Sequence, residues 1–265
     1  MTTHTSDTRS LARTLANKVP EVTVFFWIIK ILATTVGETA ADQLATHAGL
    51  SLTQLTVVFG ALFAVVLAIQ LRANRYIPWV YWLSIVLISV VGTLVTDNLT
   101  DHFQISLITS TTIFSIALVL CFAAWYASER TLSIHTIVTR RREAFYWLTV
   151  LVTFSLGTAA GDLIAEKLAL GFWKSALMFA LVIAAVFLAH KRLGLGPIVA
   201  FWIAYVLTRP LGASLGDYLA QAKVDGGLGL GTTVTSLIFL GAITAVVTYL
   251  SISKVDRTAS TAAAS

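Results

Sequence analysis

The chain has 265 residues, of which 57% are hydrophobic and only 12% are charged, and its formal net charge is +5. A soluble domain carries roughly a quarter charged residues, so this composition excludes a water-exposed globular surface and predicts the lipid bilayer as the main partner. The single cysteine, Cys121, excludes a disulfide framework and a cysteine-based metal cluster, and the short basic runs between apolar segments do not indicate a nucleic-acid partner.

Eight apolar segments follow one another along the chain, each close to the roughly 20 residues that a membrane-spanning helix needs. In chain order they are 19–44, 52–71, 79–99, 105–127, 144–168, 173–189, 197–220 and 231–253. We therefore predict an all-α membrane protein of eight transmembrane helices. Two halves, residues 19–127 and 144–253, are joined by a basic linker at 128–143, and the polar ends, 1–18 and 254–265, are predicted to be disordered tails.

Lysine and arginine are concentrated in alternate connections, which predicts the orientation of the chain. The two tails, the turn after the second span, the linker and the turn after the sixth span hold 13 of the 18 basic residues. Because such residues are retained on the cytoplasmic side, we expect both termini in the cytoplasm. Eight spans agree with that, since an even number returns the chain to its starting side.

A short pattern recurs four times along the chain. An aromatic residue and a tryptophan stand together in each odd-numbered span, at Phe26-Trp27, Tyr81-Trp82, Tyr146-Trp147 and Phe201-Trp202. Ten residues after each tryptophan comes a glycine, and fifteen residues after it an aspartate: Gly37 and Asp42, Gly92 and Asp97, Gly157 and Asp162, Gly212 and Asp217. Each period holds two spans, which predicts four parallel two-helix repeats with pseudo-twofold halves about the membrane normal.

This fourfold Trp–Gly–Asp pattern resembles a family of bacterial multi-spanning membrane proteins of unknown function that is recognised by a short internal repeat. The segments 18–23, Lys-Val-Pro-Glu-Val-Thr, and 37–42, Gly-Glu-Thr-Ala-Ala-Asp, carry the resemblance together with the repeat. It covers nearly the whole chain and implies a protein of the bacterial cytoplasmic (inner) membrane. It implies no substrate, so the function has to be inferred from the residues.

Every fourth residue from three past each tryptophan forms a stripe that becomes more polar toward the end of the span. The four stripes are Lys30, Thr34, Glu38, Asp42, Thr46; Ile85, Ser89, Thr93, Asp97, Asp101; Val150, Phe154, Thr158, Asp162, Glu166; and Tyr205, Arg209, Ala213, Asp217, Gln221. Residues four apart share one face of a helix. Since lipid cannot solvate polar groups, the stripes are predicted to face protein or water.

Acids outnumber bases in these stripes, which favours a cation as the ligand. The candidate binding residues are Glu38, Asp42, Asp97, Asp101, Asp162, Glu166 and Asp217, and the two bases are Lys30 and Arg209. Charges this deep require partners, and the repeat phase predicts an ion pair between Glu38 and Arg209, as a structural clamp or as a gate. The alternative for the aspartates is that they mark helix ends that water solvates.

Two histidines, His47 and His102, share one repeat position, twenty residues past the tryptophan and beside the outer acids. Imidazole together with carboxylates is typical of sites for borderline divalent metals, so both are candidate metal ligands. The alternative is that they are solvated loop histidines.

The function we predict is a secondary permease for a cation, with divalent metals slightly preferred and a path between the odd-numbered helices. No resident cofactor is expected beyond a bound divalent cation, and the sequence does not indicate an oligomeric state. An alternative is a membrane sensor or binding module with an outward acidic vestibule and no transport. An intramembrane metal-dependent enzyme is less favoured, since no histidine-rich catalytic motif and no nucleotide-binding fingerprint are found.

Overall fold

The computed structural model describes residues 17–256, apart from the side chain of Glu166. Eight long helices make up this part of the chain, and all are long and apolar enough to cross a membrane. They are α1 Val24–His47, α2 Leu52–Arg72, α3 Pro78–Asp97, α4 Leu107–Glu129, α5 Arg140–Asp162, α6 Phe172–Arg192, α7 Pro197–Ala220 and α8 Thr232–Ser253. The remainder of residues 17–256 is turns and short helical segments without strands, as predicted.

The odd-numbered helices form a closed inner ring, in which α1 packs on α3, α3 on α5, α5 on α7 and α7 on α1. Each even-numbered helix packs outside the ring, on the odd-numbered helix of the next repeat: α2 on α3, α4 on α5, α6 on α7, and α8 on α1. The same contacts therefore recur in each repeat, which confirms the prediction of four parallel two-helix units. A half turn about the ring axis relates the contacts of α1–α4 to those of α5–α8.

Burial separates the two layers. In their most apolar stretches the odd-numbered helices are more than half buried, whereas less than a third of each even-numbered helix is buried. The outer helices instead expose large apolar side chains such as Val57, Val119, Phe187 and Leu237. Such a surface is stable only in contact with lipid, so the outer helices are suited to the bilayer and the inner helices to a polar interior.

The repeat glycines are the points at which the inner helices approach most closely. A Cβ atom added at any of the four would overlap a side chain three residues before the next repeat's glycine: Gly37 meets Ser89, Gly92 meets Phe154, Gly157 meets Arg209, and Gly212 meets Thr34. Glycine is thus required because a neighbouring helix fills the space of its side chain. The repeat glycines thus allow close contact between the inner helices.

Local sequence signals explain where several helices begin. Ser51 and Gln54 form a capping box at the start of α2, and Thr139 caps α5 by accepting from the Arg142 amide. That cap starts α5 four residues before the predicted start of the span. The first helix, in contrast, starts five residues later than predicted, because Pro20 lies in a non-helical segment that precedes Val24.

Two inner helices continue into a π-helical turn directly after the repeat aspartate. These turns are Asn98–His102, after Asp97, and Leu163–Lys167, after Asp162. The other two inner helices have no such turn, so the four repeats differ at the aspartate end. π-turns redirect the side chains around them and are frequent at functional sites.

Both described chain ends are packed against the helices. The Lys18 ammonium, which is buried, lies 2.8 Å from the Glu143 carboxylate, and the Gln70 amide also donates to Glu143. The Tyr76 hydroxyl donates to the buried Asp256 carboxylate at 2.6 Å. Residues 17, 18 and 256, which the sequence places in the predicted disordered tails, therefore pack against the helices in the structure. Residues 1–16 and 257–265 of those tails lie outside the described part.

The two ends of the bundle differ in charge. We call the end where residues 17 and 256 lie the basic end; the linker and its Arg140–Arg142 run are there. We call the opposite end, which carries the repeat aspartates, the acidic end.

Candidate functional site

The four predicted stripes, together with the aromatic residue four positions before each of them, meet along the axis of the inner ring and form successive layers. From the basic end these layers are Phe26, Tyr81, Tyr146 and Phe201; Lys30, Ile85, Val150 and Tyr205; Thr34, Ser89, Phe154 and Arg209; Glu38, Thr93, Thr158 and Ala213; and the four repeat aspartates. Most members of the inner layers are fully buried. The axis is thus apolar and aromatic at the basic end and becomes acidic toward the other end.

Arg209 on α7 connects all four inner helices. Its guanidinium donates to the Glu38 carboxylate at 2.8 Å, to the Thr158 hydroxyl at 2.6 Å, to the Thr93 hydroxyl and to the Thr34 carbonyl. The side chain is fully buried. The predicted Glu38–Arg209 pair is therefore confirmed, and the geometry makes it a clamp across the ring as well as an ion pair.

Three acids converge on the acidic side of this clamp. One carboxylate oxygen from each of Glu38, Asp162 and Asp217 lies within 4.8 Å of the others, and the three residues come from α1, α5 and α7. Glu38 and Asp217 are buried and Asp162 is partly buried. We call this set the carboxylate trio. It is the one group of three or more potential metal-ligating side chains within 17–256 that is tight enough to share an ion.

The other two repeat aspartates lie beside the trio. Asp97 is within electrostatic range of Glu38, Asp42 and Asp101, and Asp42 lies 3.5 Å from the side-chain amide of Gln221, which donates to it. The four repeat aspartates are thus unequal, since two belong to the trio and two lie at its edge. Asp42 and Asp97 place two further carboxyl groups at the edge of the site.

The remaining candidates lie farther out. Asp101, His47 and His102 are exposed at the acidic end, where His47 contacts the Thr46 hydroxyl and His102 packs on Phe103. The structure does not bring either histidine into the trio. Glu166 belongs to the π-turn Leu163–Lys167, and its side chain lies outside the described part.

Lys30 is the deepest charged residue of the axis. Its ammonium lies 4.0 Å from the centre of the Phe154 ring and 4.3 Å from that of Tyr205, one layer below Arg209. The side chain is fully buried, and its nitrogen has no hydrogen-bond partner among residues 17–256. The predicted intramembrane position is confirmed, but the contacts are with aromatic faces instead of an acid.

An aromatic floor closes the axis at the basic end. The Tyr81 and Tyr146 hydroxyls hydrogen-bond to each other, and the Tyr146 and Tyr205 side chains interact above them. The Phe26 ring packs on the Tyr205 and Trp82 rings, and all these residues are buried. The hydroxyls of this layer have a signal in the sequence, because tyrosine replaces phenylalanine in two of the four aromatic pairs that mark the repeat.

Comparison with known families identifies the repeat. Four segments of the chain, residues 25–76, 80–131, 145–194 and 200–256, match the family described as Repeat of Unknown Function (DUF347). Each segment holds one copy of the tryptophan, glycine and aspartate pattern. The matches cover most of the chain, which therefore belongs to this family. Comparisons with curated proteins and with solved structures give no significant match.

Proposed function

We propose that this DUF347 repeat protein is a secondary permease for a divalent cation that prefers oxygen ligands. The observation that carries the proposal is the carboxylate trio, in which three inner helices each supply one oxygen within 4.8 Å of the others. An acid at the centre of a membrane is costly and is retained where it serves a function. Three acids from different helices at one point repel one another, and a bound cation removes that repulsion.

The oxygens of the trio lie close enough together to share one divalent ion. Two oxygens that share an ion are separated by at most twice the metal–oxygen distance, which is about 4.8 Å for Ca²⁺ and about 4.2 Å for Mg²⁺. The trio oxygens lie within 4.8 Å of one another, which is the range in which one such ion is shared. A smaller ion such as Mg²⁺ requires the carboxylate oxygens to lie closer together than Ca²⁺ does.

The donor set also selects the class of metal. Carboxylate and water ligands suit Mg²⁺, Ca²⁺ and Mn²⁺, whereas zinc and copper favour nitrogen and sulfur. With His47 and His102 exposed outside the trio, the site offers oxygen donors, so the borderline metals suggested by those histidines are no longer favoured.

The path is closed at the basic end, which is the arrangement expected of one state in an alternating-access cycle. The trio lies toward the acidic end, which the distribution of basic residues assigns to the outside of the bacterial inner membrane. Below it, Arg209 bridges the ring and the aromatic floor fills the axis. An ion that binds Glu38 competes with Arg209 for the carboxylate, and release of this clamp would allow the inner helices to separate at the basic end.

Ion uptake by the purified protein in liposomes tests the proposal. We expect Ca²⁺ or Mn²⁺ added outside to accumulate inside, and Asp217→Asn, which keeps the side-chain shape, to lose most of this uptake. Asp101→Asn is the matched control, because it removes an exposed carboxylate at the same end of the bundle. Uptake that is absent from wild type, or equal in the two variants, would refute the proposal.

The closed floor favours one second function, a membrane-embedded sensor that binds a cation in the acidic vestibule without moving it. The same preparation distinguishes the two. Cation-dependent thermal stabilisation without uptake indicates the sensor, whereas stabilisation with uptake indicates the permease.

A further inference from the structure

We propose that Lys30 carries a proton that is exchanged for the divalent cation, so that the permease is a cation/proton exchanger. This inference rests on the proposed function and adds the coupling ion to it. It starts from the one buried amine on the axis, which neither the Arg209 clamp nor the carboxylate trio uses.

The surroundings of Lys30 accommodate both of its protonation states. The two aromatic faces at 4.0 and 4.3 Å attract an ammonium ion. Complete burial within the bundle makes an unpaired charge at this position costly. Because no hydrogen-bond acceptor among residues 17–256 holds the proton, it can leave without breaking a hydrogen bond.

No acid in contact with Lys30 fixes its charge. From α7 it faces Arg209 and Tyr205, and from α5 it faces Phe154. From α3 the residue of the same layer is the apolar Ile85, and α8, which also packs on α1, contains no acidic or basic residue. The tyrosines of the aromatic floor are the only other titratable groups on this part of the axis within the described chain.

The distance to the trio is short enough for coupling. Lys30 and Glu38 are eight residues apart on one helix face, or about 12 Å. At an effective dielectric constant of about 20, a divalent ion at that distance repels the ammonium form enough to shift its equilibrium with the amine about 100-fold. Cation binding and Lys30 protonation therefore oppose each other, which is the requirement for exchange.

The proton has a polar route toward the trio but not toward the basic end. Between Lys30 and Glu38 lie the hydroxyls of Thr34 and Ser89, and the Ser89 hydroxyl has no hydrogen-bond partner among the described residues. The aromatic floor lies on the other side. In the exchange, Lys30-NH₃⁺ releases one proton to the side from which the ion arrives and becomes Lys30-NH₂; after the ion leaves on the opposite side, the amine takes up a proton there.

Liposomes that contain a pH-sensitive dye test the exchange. With an inward Ca²⁺ gradient, wild-type protein should make the interior alkaline as Ca²⁺ enters. Lys30→Met and Lys30→Arg should each reduce this proton movement about tenfold or more, since methionine cannot bind the proton and arginine does not release it. Lys174→Met, which removes an amine beside Trp173 outside the axis, is the matched control and should behave as wild type.

Calcium binding to detergent-purified protein gives a second readout that does not depend on transport. Lys30→Met should bind Ca²⁺ with an affinity that changes less with pH than that of wild type, because only the carboxylates still take up protons, whereas Lys30→Arg should bind most weakly. If Lys30 had only a structural role, the methionine and arginine variants would not differ in Ca²⁺ affinity in this way.

The outcomes separate the two proposals. Wild-type Ca²⁺ uptake without proton movement overturns the exchange and leaves the permease intact, as does proton movement that survives in both Lys30 variants. Absence of Ca²⁺ uptake by wild type overturns the permease, and the exchange with it.

Discussion

Replacing Arg209 with methionine removes the charge that links the four inner helices while keeping most of the side-chain volume. The Glu38 carboxylate, which is only 5% exposed, would then keep the Thr93 hydroxyl at 3.4 Å but lose its ion pair. The hydrogen bonds of Arg209 to Thr158 and to the Thr34 carbonyl are lost as well. We therefore expect the variant to be substantially less stable than wild type.

The magnitude follows from the cost of leaving one buried charge without its partner, which is about 3–5 kcal/mol. For a chain of this size such a loss lowers the melting temperature by roughly 6–20 °C. Glu38→Gln should cost a comparable amount, because it leaves the guanidinium unpaired. The double variant contains neither charge, so it should lose about 2 kcal/mol less than the sum of the single losses.

Thermal melting of the four proteins in one detergent provides the measurement. Arg209→Lys is the control for charge alone, since a single ammonium cannot reach all the acceptors that the guanidinium contacts, and it should lie between wild type and Arg209→Met. If the loss of stability in the double variant equals the sum of the two single losses, Glu38 and Arg209 do not stabilise each other. That result would refute the role of the pair as a clamp.

Three further predictions concern the scaffold. Gly92→Ala should lower the melting temperature, because the new Cβ would lie 2.6 Å from Phe154 Cβ. The control Gly241→Ala, where the new Cβ meets nothing within 4 Å, should be neutral or stabilising by up to about 1 kcal/mol. Equal shifts of the melting temperature in the two variants would contradict the role of the repeat glycines. Lys18→Met should cost about 3 kcal/mol by melting, because it leaves the buried Glu143 carboxylate without its ammonium, and a loss below about 1 kcal/mol would mean that Gln70 suffices. Reporter fusions to the two termini should both report the cytoplasm. A periplasmic signal from either of them would refute the orientation predicted from the distribution of lysine and arginine.

The architecture could be predicted from the sequence because the bilayer leaves few alternatives. A stripe of polar residues at a spacing of four cannot face lipid, so four copies of it had to meet at a common interior. The same reasoning placed Glu38 and Arg209 within reach of each other, since the repeat fixes their relative depth. Both inferences depend only on position along a helix.

The composition of the site could not be predicted in the same way. Which acids converge depends on side-chain length and on the ends of the helices: Glu38 comes from one layer deeper than Asp162 and Asp217. The π-turn after Asp162 and its absence after Asp217 change the backbone at positions that the repeat makes equivalent. No periodicity in the sequence distinguishes those two aspartates from Asp42 and Asp97.

The division between what is repeated and what is not suggests how the repeat came to support a site. The positions that join neighbouring helices, the tryptophans and glycines, are identical in all four copies, so the scaffold is built by repetition. The positions of Arg209 and Glu38, in contrast, are not repeated: the layer of Arg209 also holds threonine, serine and phenylalanine, and the layer of Glu38 also holds two threonines and an alanine. Four identical acids there would repel one another, and four identical bases would leave no place for a cation. A single acid and a single base at neighbouring depths instead give a pair that can open, which a symmetric ring could not provide.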